Sequence, residues 1–443
     1  MRKYDTYKDS GIEFIGEIPG HWEVKKFGSI SYMKGRIGWQ GLKQSEFTSN
    51  PDDPFLITGM NFHDGKIRWD EVYHILEERY NEAPEIQLKE FDVLFTKDGT
   101  IGKLLFVDSI PYPHKASLNS HLLVLRPLNR SYKPRFIYYQ LKSLPFKHHI
   151  ELTKTGTTFY GITQEAMGQY KALIPPSEEQ TAIAAYLDRK TAEIDQLIAD
   201  KKRLLELYEE EKAAIINQAV TKGINPNVPM KDSGIEWLGE IPEHWETVNL
   251  KWVSKIYSGG TPSKNNEDFW QNGTIPWLNS GTVNQFFITE PSEYITEEAL
   301  NSSSAKWIPE NSIVIALAGQ GKTKGMAAQV MFECTCNQSM GVIVPNDRID
   351  NRFLLYYLTR NYQNIRNLGG GDKRDGINLE MVGGIPLPVI PLSEQAEIVN
   401  HIENYFSRLD AKKAKTEKLI ELLTEYRTAL ISEVVTGKIK VTE

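Results

Sequence analysis

Two stretches of this chain are nearly the same. Residues Lys8 to Glu23 read KDSGIEFIGEIPGHWE and Lys231 to Glu246 read KDSGIEWLGEIPEHWE, identical at 13 of 16 positions at an offset of 223. Chance does not produce this, and an internal repeat constrains architecture before any local pattern does. The Gly-x-Ile-Pro-x-His-Trp core reads as a turn with a tryptophan anchor, Trp22 and Trp245, whose ordinary role is packing. A second repeat follows at an offset of 215. Pro176 to Gln180 (PSEEQ) matches Pro391 to Gln395 (PLSEQ), and Ala213 to Ile224 (AAIINQAVTKGI) matches Thr428 to Ile439 (TALISEVVTGKI).

Between these marks both copies look helical. Ser177 suits an N-cap, and Gln180 three residues on would complete a capping box. Apolar residues then recur with mixed spacings of 3 and 4, from Ile183 and Leu187 to Ile215 and Ala219, and from Ile398 and Ile402 to Leu430 and Val434. That is the pattern of a coiled-coil seam. Gly223 and Gly437 are the expected stops. About 46 residues of helix span roughly 70 Å at 1.5 Å per residue. One such helix cannot bury its stripe alone, but two related ones can pair. The chain is therefore expected to run A-B-A′-B′. Antiparallel pairing would relate the halves by a pseudo-twofold axis and set the globular segments at opposite ends.

The globular segments are not obvious copies, yet both read as strand, Gly/Lys loop, strand. The first has Phe91 to Phe95, the loop Thr96 to Lys103, and Leu104 to Val107. The second has Ser312 to Leu317, the loop Ala318 to Gly325, and Met326 to Met331. Each continues with a polar-to-apolar run (Leu118 to Pro127, Cys336 to Pro345). A short apolar helix follows (Phe136 to Leu144, Phe353 to Thr359), then a glycine-rich loop (Thr153 to Gly161, Gly369 to Gly376).

A chain of 443 residues is too long for one ordinary core. No apolar run approaches the roughly 18 residues of a membrane span, and Met1 to Ser10 lacks the apolar region of a secretory signal. The two cysteines, Cys334 and Cys336, cannot alone complete a zinc site or a disulfide framework, so a reduced, cytoplasmic setting is expected. Net charge is −7, which runs against nucleic-acid binding unless it is uneven. It is uneven: Gly20 to Pro175 holds 20 Lys+Arg against 17 Asp+Glu, Thr247 to Ile390 holds 12 against 13, and Gly223 to Glu246 holds 1 against 5. Near-neutral segments imply weak phosphate affinity for the isolated chain.

The two GIE-x-x-GEIP-x-HW stretches, the two SEQ-like helix starts and the A-B-A′-B′ order resemble the specificity subunits of Type I restriction-modification systems. Ser258-Gly-Gly-Thr-Pro-Ser263 with Ile275-Pro-Trp277 is similar to the opening of many target recognition domains of that family. The resemblance implies an α+β fold in which two mixed α/β target recognition domains are separated by two long antiparallel coiled-coil helices. The segments are then 1–175, the first recognition domain; 176–223, the central long helix; 224–390, the second recognition domain; and 391–443, the C-terminal long helix. It implies double-stranded DNA, two modification subunits and restriction subunits as partners, and no membrane. It further implies no catalysis and no cofactor in this chain, with S-adenosylmethionine, ATP and Mg²⁺ belonging to partner subunits.

Under that reading, polar loops beside strands are the expected DNA contacts, since Arg/Lys suit guanine and Asn/Gln suit adenine edges. In the first domain these are Lys34, Arg36, Trp39, Gln40 and Lys43; Lys97, Asp98, Thr100 and Lys103; Asn119, Ser120 and His121; and Lys154, Thr157, Thr158 and Tyr160. In the second they are Thr261, Ser263, Lys264 and Asn265; Gln320, Lys322 and Lys324; Asn337 and Gln338; and Lys373 and Arg374. For any single residue, ordinary surface or turn structure is the competing reading.

The alternatives are an enzyme and a purely structural coiled-coil protein. Ala316 to Thr323 (ALAGQGKT) resembles a degenerate P-loop, but the first glycine is Ala316 and the residues after it read as a strand, not a phosphate-binding helix. No Asn/Asp-Pro-Pro-aromatic motif is present; Asn50-Pro51-Asp52 does not fit one. Glu210-Glu211-Lys212 has nuclease-like spacing but lies on the expected helix, and His148-His149 reads as a surface pair.

Overall fold

The computed structural model describes residues 2–36, 42–63, 65–156, 160–319, 321–369 and 376–441. Two long helices, Ser177–Lys222 and Leu392–Val435, run 46 and 44 residues. By contact density the chain divides into two units: residues 1–202 with 417–443, and residues 203–416. Each unit thus takes one globular segment and part of both helices.

In the first unit an antiparallel sheet runs in the order Leu104–Phe106, Val93–Thr96, Leu122–Pro127, Ser31–Lys34. A second sheet joins Ala116–Leu118 and Phe55–Ile57 in parallel. The helix Pro134–Lys142 buries Phe136, Ile137 and Leu141, as its apolar face requires. In the second unit Ser254–Ser258, Met340–Pro345, Ile313–Ala316, Ala327–Val330 and Phe287–Ile288 form one sheet, and Asn351–Arg360 is the matching helix. The registers correspond: Val93 faces Phe106 and Leu125, and Ile313 faces Gln329 and Ile343.

The repeated motif ties each globular part to the helices. Tyr7–Asp9 pairs with Glu17–Pro19, and Met230–Asp232 with Glu240–Pro242, which aims Trp22 and Trp245 inward; both are fully buried. In the first unit Glu179, in the opening turn of a long helix, accepts hydrogen bonds from Tyr4 and His21. In the second, Glu394 is the acceptor for His244 Nε2 at 2.9 Å and Trp245 Nε1 at 3.0 Å. The far end of the other long helix closes each knot. Gly437 lies so near that a Cβ would sit 2.2 Å from Pro19 Cδ, and Gly223 lies against Trp245; both adopt φ of +73°. Only glycine holds that conformation cheaply at such an approach.

The expected capping box is absent. The first long helix already includes Ser177, and Gln180 turns away from it: its Oε1 accepts from Lys133 N at 2.7 Å and its Nε2 donates to Pro175 O at 2.8 Å. Gln395 repeats this, accepting from Asp350 N and donating to Arg348 O and Ile390 O. A buried amide that ties two helix starts together is worth more than a solvent-facing cap.

Within the first unit the helices meet through Asp195 and Arg427, at 2.8 and 3.0 Å. Within the second, Glu209 pairs with Lys413 at 2.7 Å and Lys212 with Asp410 at 2.5 Å; one number rises as the other falls, so these segments are antiparallel. Glu211 bonds Tyr405, so Glu211 and Lys212 of the nuclease-like triplet serve helix pairing. Among the described residues no helix is long and apolar enough to cross a membrane.

Candidate nucleic-acid interface

One backbone scaffold recurs in both units and gathers the candidate loops. In the first, Lys97 N donates to His121 O at 3.0 Å, Ile162 N to Lys97 O at 2.8 Å, and Asn119 N to Ile57 O at 2.9 Å. In the second, Leu317 N donates to Ser339 O at 2.8 Å, Ile377 N to Leu317 O at 2.7 Å, and Asn337 N to Leu278 O at 3.0 Å. Each donor and acceptor occupies the corresponding sheet position. Three loops in each unit therefore converge at the ends of the same strands, although they lie far apart in sequence.

The side chains on this scaffold differ. In the first cluster Asp98 is bonded to His121, Lys154 is occupied by Glu151 at 2.5 Å with the Tyr160 ring 4.9 Å away, and Thr100 and Lys103 are exposed. Asn119 Oδ1 accepts from Ser120 N, which fixes the turn before His121. Lys34 and Lys43 are also exposed, beside the sheet edge and before a short 3-10 turn. In the second cluster Thr261 bonds Gln338, joining the 261–265 and 337–339 loops. Ser263 O accepts from Trp270 Nε1 at 3.0 Å, while Asn265 and Lys322 are exposed. Tyr362 OH donates to Lys322 O at 2.6 Å, and Arg366 donates to Gly321 O at 2.5 Å and Lys324 O at 3.2 Å, bracing the loop from the helix beneath it.

Several candidates belong to the architecture instead. Arg36 is 3% exposed; its Nε donates to Leu118 O at 2.8 Å and its Nη2 to Ser117 Oγ at 3.0 Å, so it stitches a sheet edge from inside. Lys324 is 3% exposed, which removes its ammonium from any DNA surface. Lys264 sits 3.4 Å from the Trp270 ring centre and pairs with Glu293 at 2.6 Å, an occupied cation site. His149 is not a surface residue: half-buried, it stacks on Phe146 and meets Ala166 O at 2.9 Å, while His148 is exposed beside Phe14. Trp39, Gln40, Thr157, Thr158, Gln320, Lys373 and Arg374 lie outside the described residues.

The residues after the P-loop-like stretch form the strand Ala327–Val330, so the loop does not open the helix that a phosphate-binding P-loop would. Burial pushes both thiols up, Cys336 to about 12, which makes them poor nucleophiles. Among the described residues no group of three His, Cys, Asp or Glu is placed to hold a metal.

Sequence reasoning missed the braces. Arg366 and Tyr362 act on a loop about 40 residues away, and nothing in their local pattern marks them. It also missed Lys142 and Lys147, which join Lys103 and Arg427 around one cavity.

Comparison with known proteins places this arrangement. The family model of the Type I restriction modification DNA specificity domain matches residues 19–207 and again 242–422, one copy for each half of the repeat. The type I restriction enzyme MjaIX specificity subunit of Methanocaldococcus jannaschii is 24% identical over 439 residues, covering 97% of this chain and 96% of that one. The EcoR124I/EcoR124II specificity subunit of Escherichia coli is 26% identical over 314 residues, 67% of this chain and 70% of that one. A chain solved in work on complex assembly and conformational transition of the type I R-M system superimposes with a TM-score of 0.70 over 95% of this chain and 99% of its own, at 16% identity. The repeated motif, the doubled loop scaffold and the twofold family match agree: this chain belongs to the family of Type I restriction-modification specificity subunits.

Proposed function

We propose that each loop cluster reads one half of a split DNA site, without catalysis by this chain. The observation that carries this is the doubled scaffold: matching backbone hydrogen bonds hold loops whose side chains differ at most positions, Asn119 and Asn337 being a shared exception. Such a frame presents different donors and acceptors in one geometry, which is what reading two unlike half-sites in the major groove needs. In the first domain Lys97, Asp98, Thr100, Lys103, His121 and Tyr160 are the reading set. In the second they are Thr261, Asn265, Lys322, Asn337 and Gln338.

The segments 1–175, 176–223, 224–390 and 391–443 then serve as reader, spacer helix, reader and spacer helix. The helices also dock two modification subunits, and restriction subunits join these. Exposed Leu197, Leu419, Leu422 and Tyr426, each at least 40% accessible, support docking on the first unit's helices. S-adenosylmethionine, ATP and Mg²⁺ belong to the partners, and the setting is cytoplasmic.

Exchange of residues 24–172 for the first domain of another family member tests the assignment. The methylated motif, read by methylation-aware sequencing, should change in one half and keep the other. A change in both halves would refute independent reading.

A further inference from the structure

A cavity of about 340 Å³ in the first unit gathers Lys103, Lys142, Lys147 and Arg427. Its other walls include Phe62, Gly65 and Ile431. Arg427 is held by Asp195, and Lys142 has Tyr138 OH as its hydrogen-bond partner, with its ammonium 4.2 Å from that ring. Neither Lys103 nor Lys147 meets a carboxylate among the described residues. Among the described residues, four cations thus face one cavity with one carboxylate, Asp195, beside them.

The fold does not demand this charge. The second unit has a cavity of about 330 Å³ at the corresponding place, between the strand after the hairpin and the last turn of the following helix. The correspondence follows from register, because Leu104 faces Phe95 as Ala327 faces Ile315. There the wall includes Phe286, Met326, Thr359 and Tyr362, and Lys322 is its one charged residue among the described residues. An apolar lining therefore suffices to build the site. Converging cations, one of them largely buried, cost stability unless an anion joins them.

We propose that the first unit's cavity is a phosphate site, filled by a phosphodiester of the bound DNA beside the half-site that the first domain reads. This rests on the DNA-reading assignment above. Lys103 belongs to the reading hairpin, so the cavity borders the loop cluster and continues its positive edge to Arg427 on the long helix. Contacts to phosphate position a protein on the duplex and carry no base information. The site would fix register for the first domain, and the second domain would lack this anchor.

The test uses the full chain co-purified with its modification subunits, as wild type, as Lys147→Gln, and as Lys142→Met/Lys147→Gln. Binding to a duplex carrying the site and to a scrambled duplex is followed from 50 to 200 mM KCl. Losing one phosphate contact lowers the slope of log K against log salt by about 0.9, so the double variant should lose about 3.5-fold less affinity than wild type across that range. The effect should be equal on both duplexes, partial in Lys147→Gln, and accompanied by an unchanged methylated motif. Inorganic phosphate should raise the melting temperature of wild type more than that of the double variant. Unchanged slopes in both folded variants overturn the site while wild type still binds DNA. A phosphate-dependent melting shift with unchanged slopes overturns the DNA source and leaves a free-phosphate site. Weakened retention of the modification subunits with unchanged slopes overturns it in favour of a partner's acidic group. Absence of salt-dependent binding by wild type overturns the reading assignment itself, and the anchor with it.

Discussion

Lys142 allows a stability measurement with a fixed sign. Burial, then Arg427 and Arg135, pushes its ammonium down to about 8, with Asp195 partly opposing and Lys147 adding to the depression. An unfolded lysine titrates near 10.4, so the folded state binds this proton less tightly, by roughly 3 kcal/mol. Because the folded value is the lower one, the penalty is full below pH 8 and fades as pH rises toward 10.4. Lys142→Met keeps the apolar stem and removes the charge, but gives up the hydrogen bond to Tyr138, worth about 1 kcal/mol. A net gain of about 2 kcal/mol at pH 7 follows, or about 4–8 °C in the melting of a unit of this size. At pH 9.5 only about 1 kcal/mol of the penalty remains, so the advantage should nearly vanish. Differential scanning calorimetry of both proteins at pH 7 and 9.5 reads this directly. A variant less stable than wild type at pH 7, or a gain that does not shrink with pH, would show that the Lys142 charge carries no such penalty. Stability gained together with phosphate affinity lost is what a charge retained for binding predicts.

Three further outcomes follow from the site. Arg36→Ala should cost about 2–3 kcal/mol in urea unfolding, because it strands Leu118 O and Ser117 Oγ, and should leave the methylated motif alone; an altered motif at unchanged stability would return Arg36 to the reading set. Arg366→Ala should unbrace the 317–325 loop and relax the half-site read by the second domain, with less than about 1 kcal/mol of lost stability; motif sequencing showing both halves intact would remove its positioning role. Duplicating Thr191 to Ile194 adds about one helical turn, roughly 5.4 Å, and should lengthen the unread spacer by one to two base pairs with both half-sites kept; an unchanged spacer at full activity would show that the helices are not the ruler.

What the sequence made legible is what repeats or has a period. The two tryptophan knots could be expected because the same thirteen residues occur twice, and the helices because apolar residues recur over more than 40 positions. What it hid depends on partners remote along the chain. Arg36 reads as a DNA contact until Leu118, 82 residues away, takes its guanidinium; Gln180 reads as a cap until Lys133, 47 residues back, claims its side chain. The phosphate cavity joins Phe62 to Ile431, and no window of sequence contains it.

The reading loops are illegible for a different reason, and it bears on function. Their anchors are backbone groups, Lys97 N to His121 O and Leu317 N to Ser339 O, and backbone groups are the same in every residue but proline. A loop held this way keeps its shape when its side chains change, so Lys97 can stand where Leu317 stands without a change of fold. The pair already shows this, since the same scaffold position carries Lys97 in one unit and Leu317 in the other. Freedom at those positions lets a specificity subunit acquire a new half-site by exchanging side chains, and it also removes any fold-based constraint from which a recognised base could be inferred. Arg366 and Tyr362 mark the limit of that freedom in the second unit: they too hold backbone carbonyls of the loop, so the loop's side chains can vary while these two braces cannot.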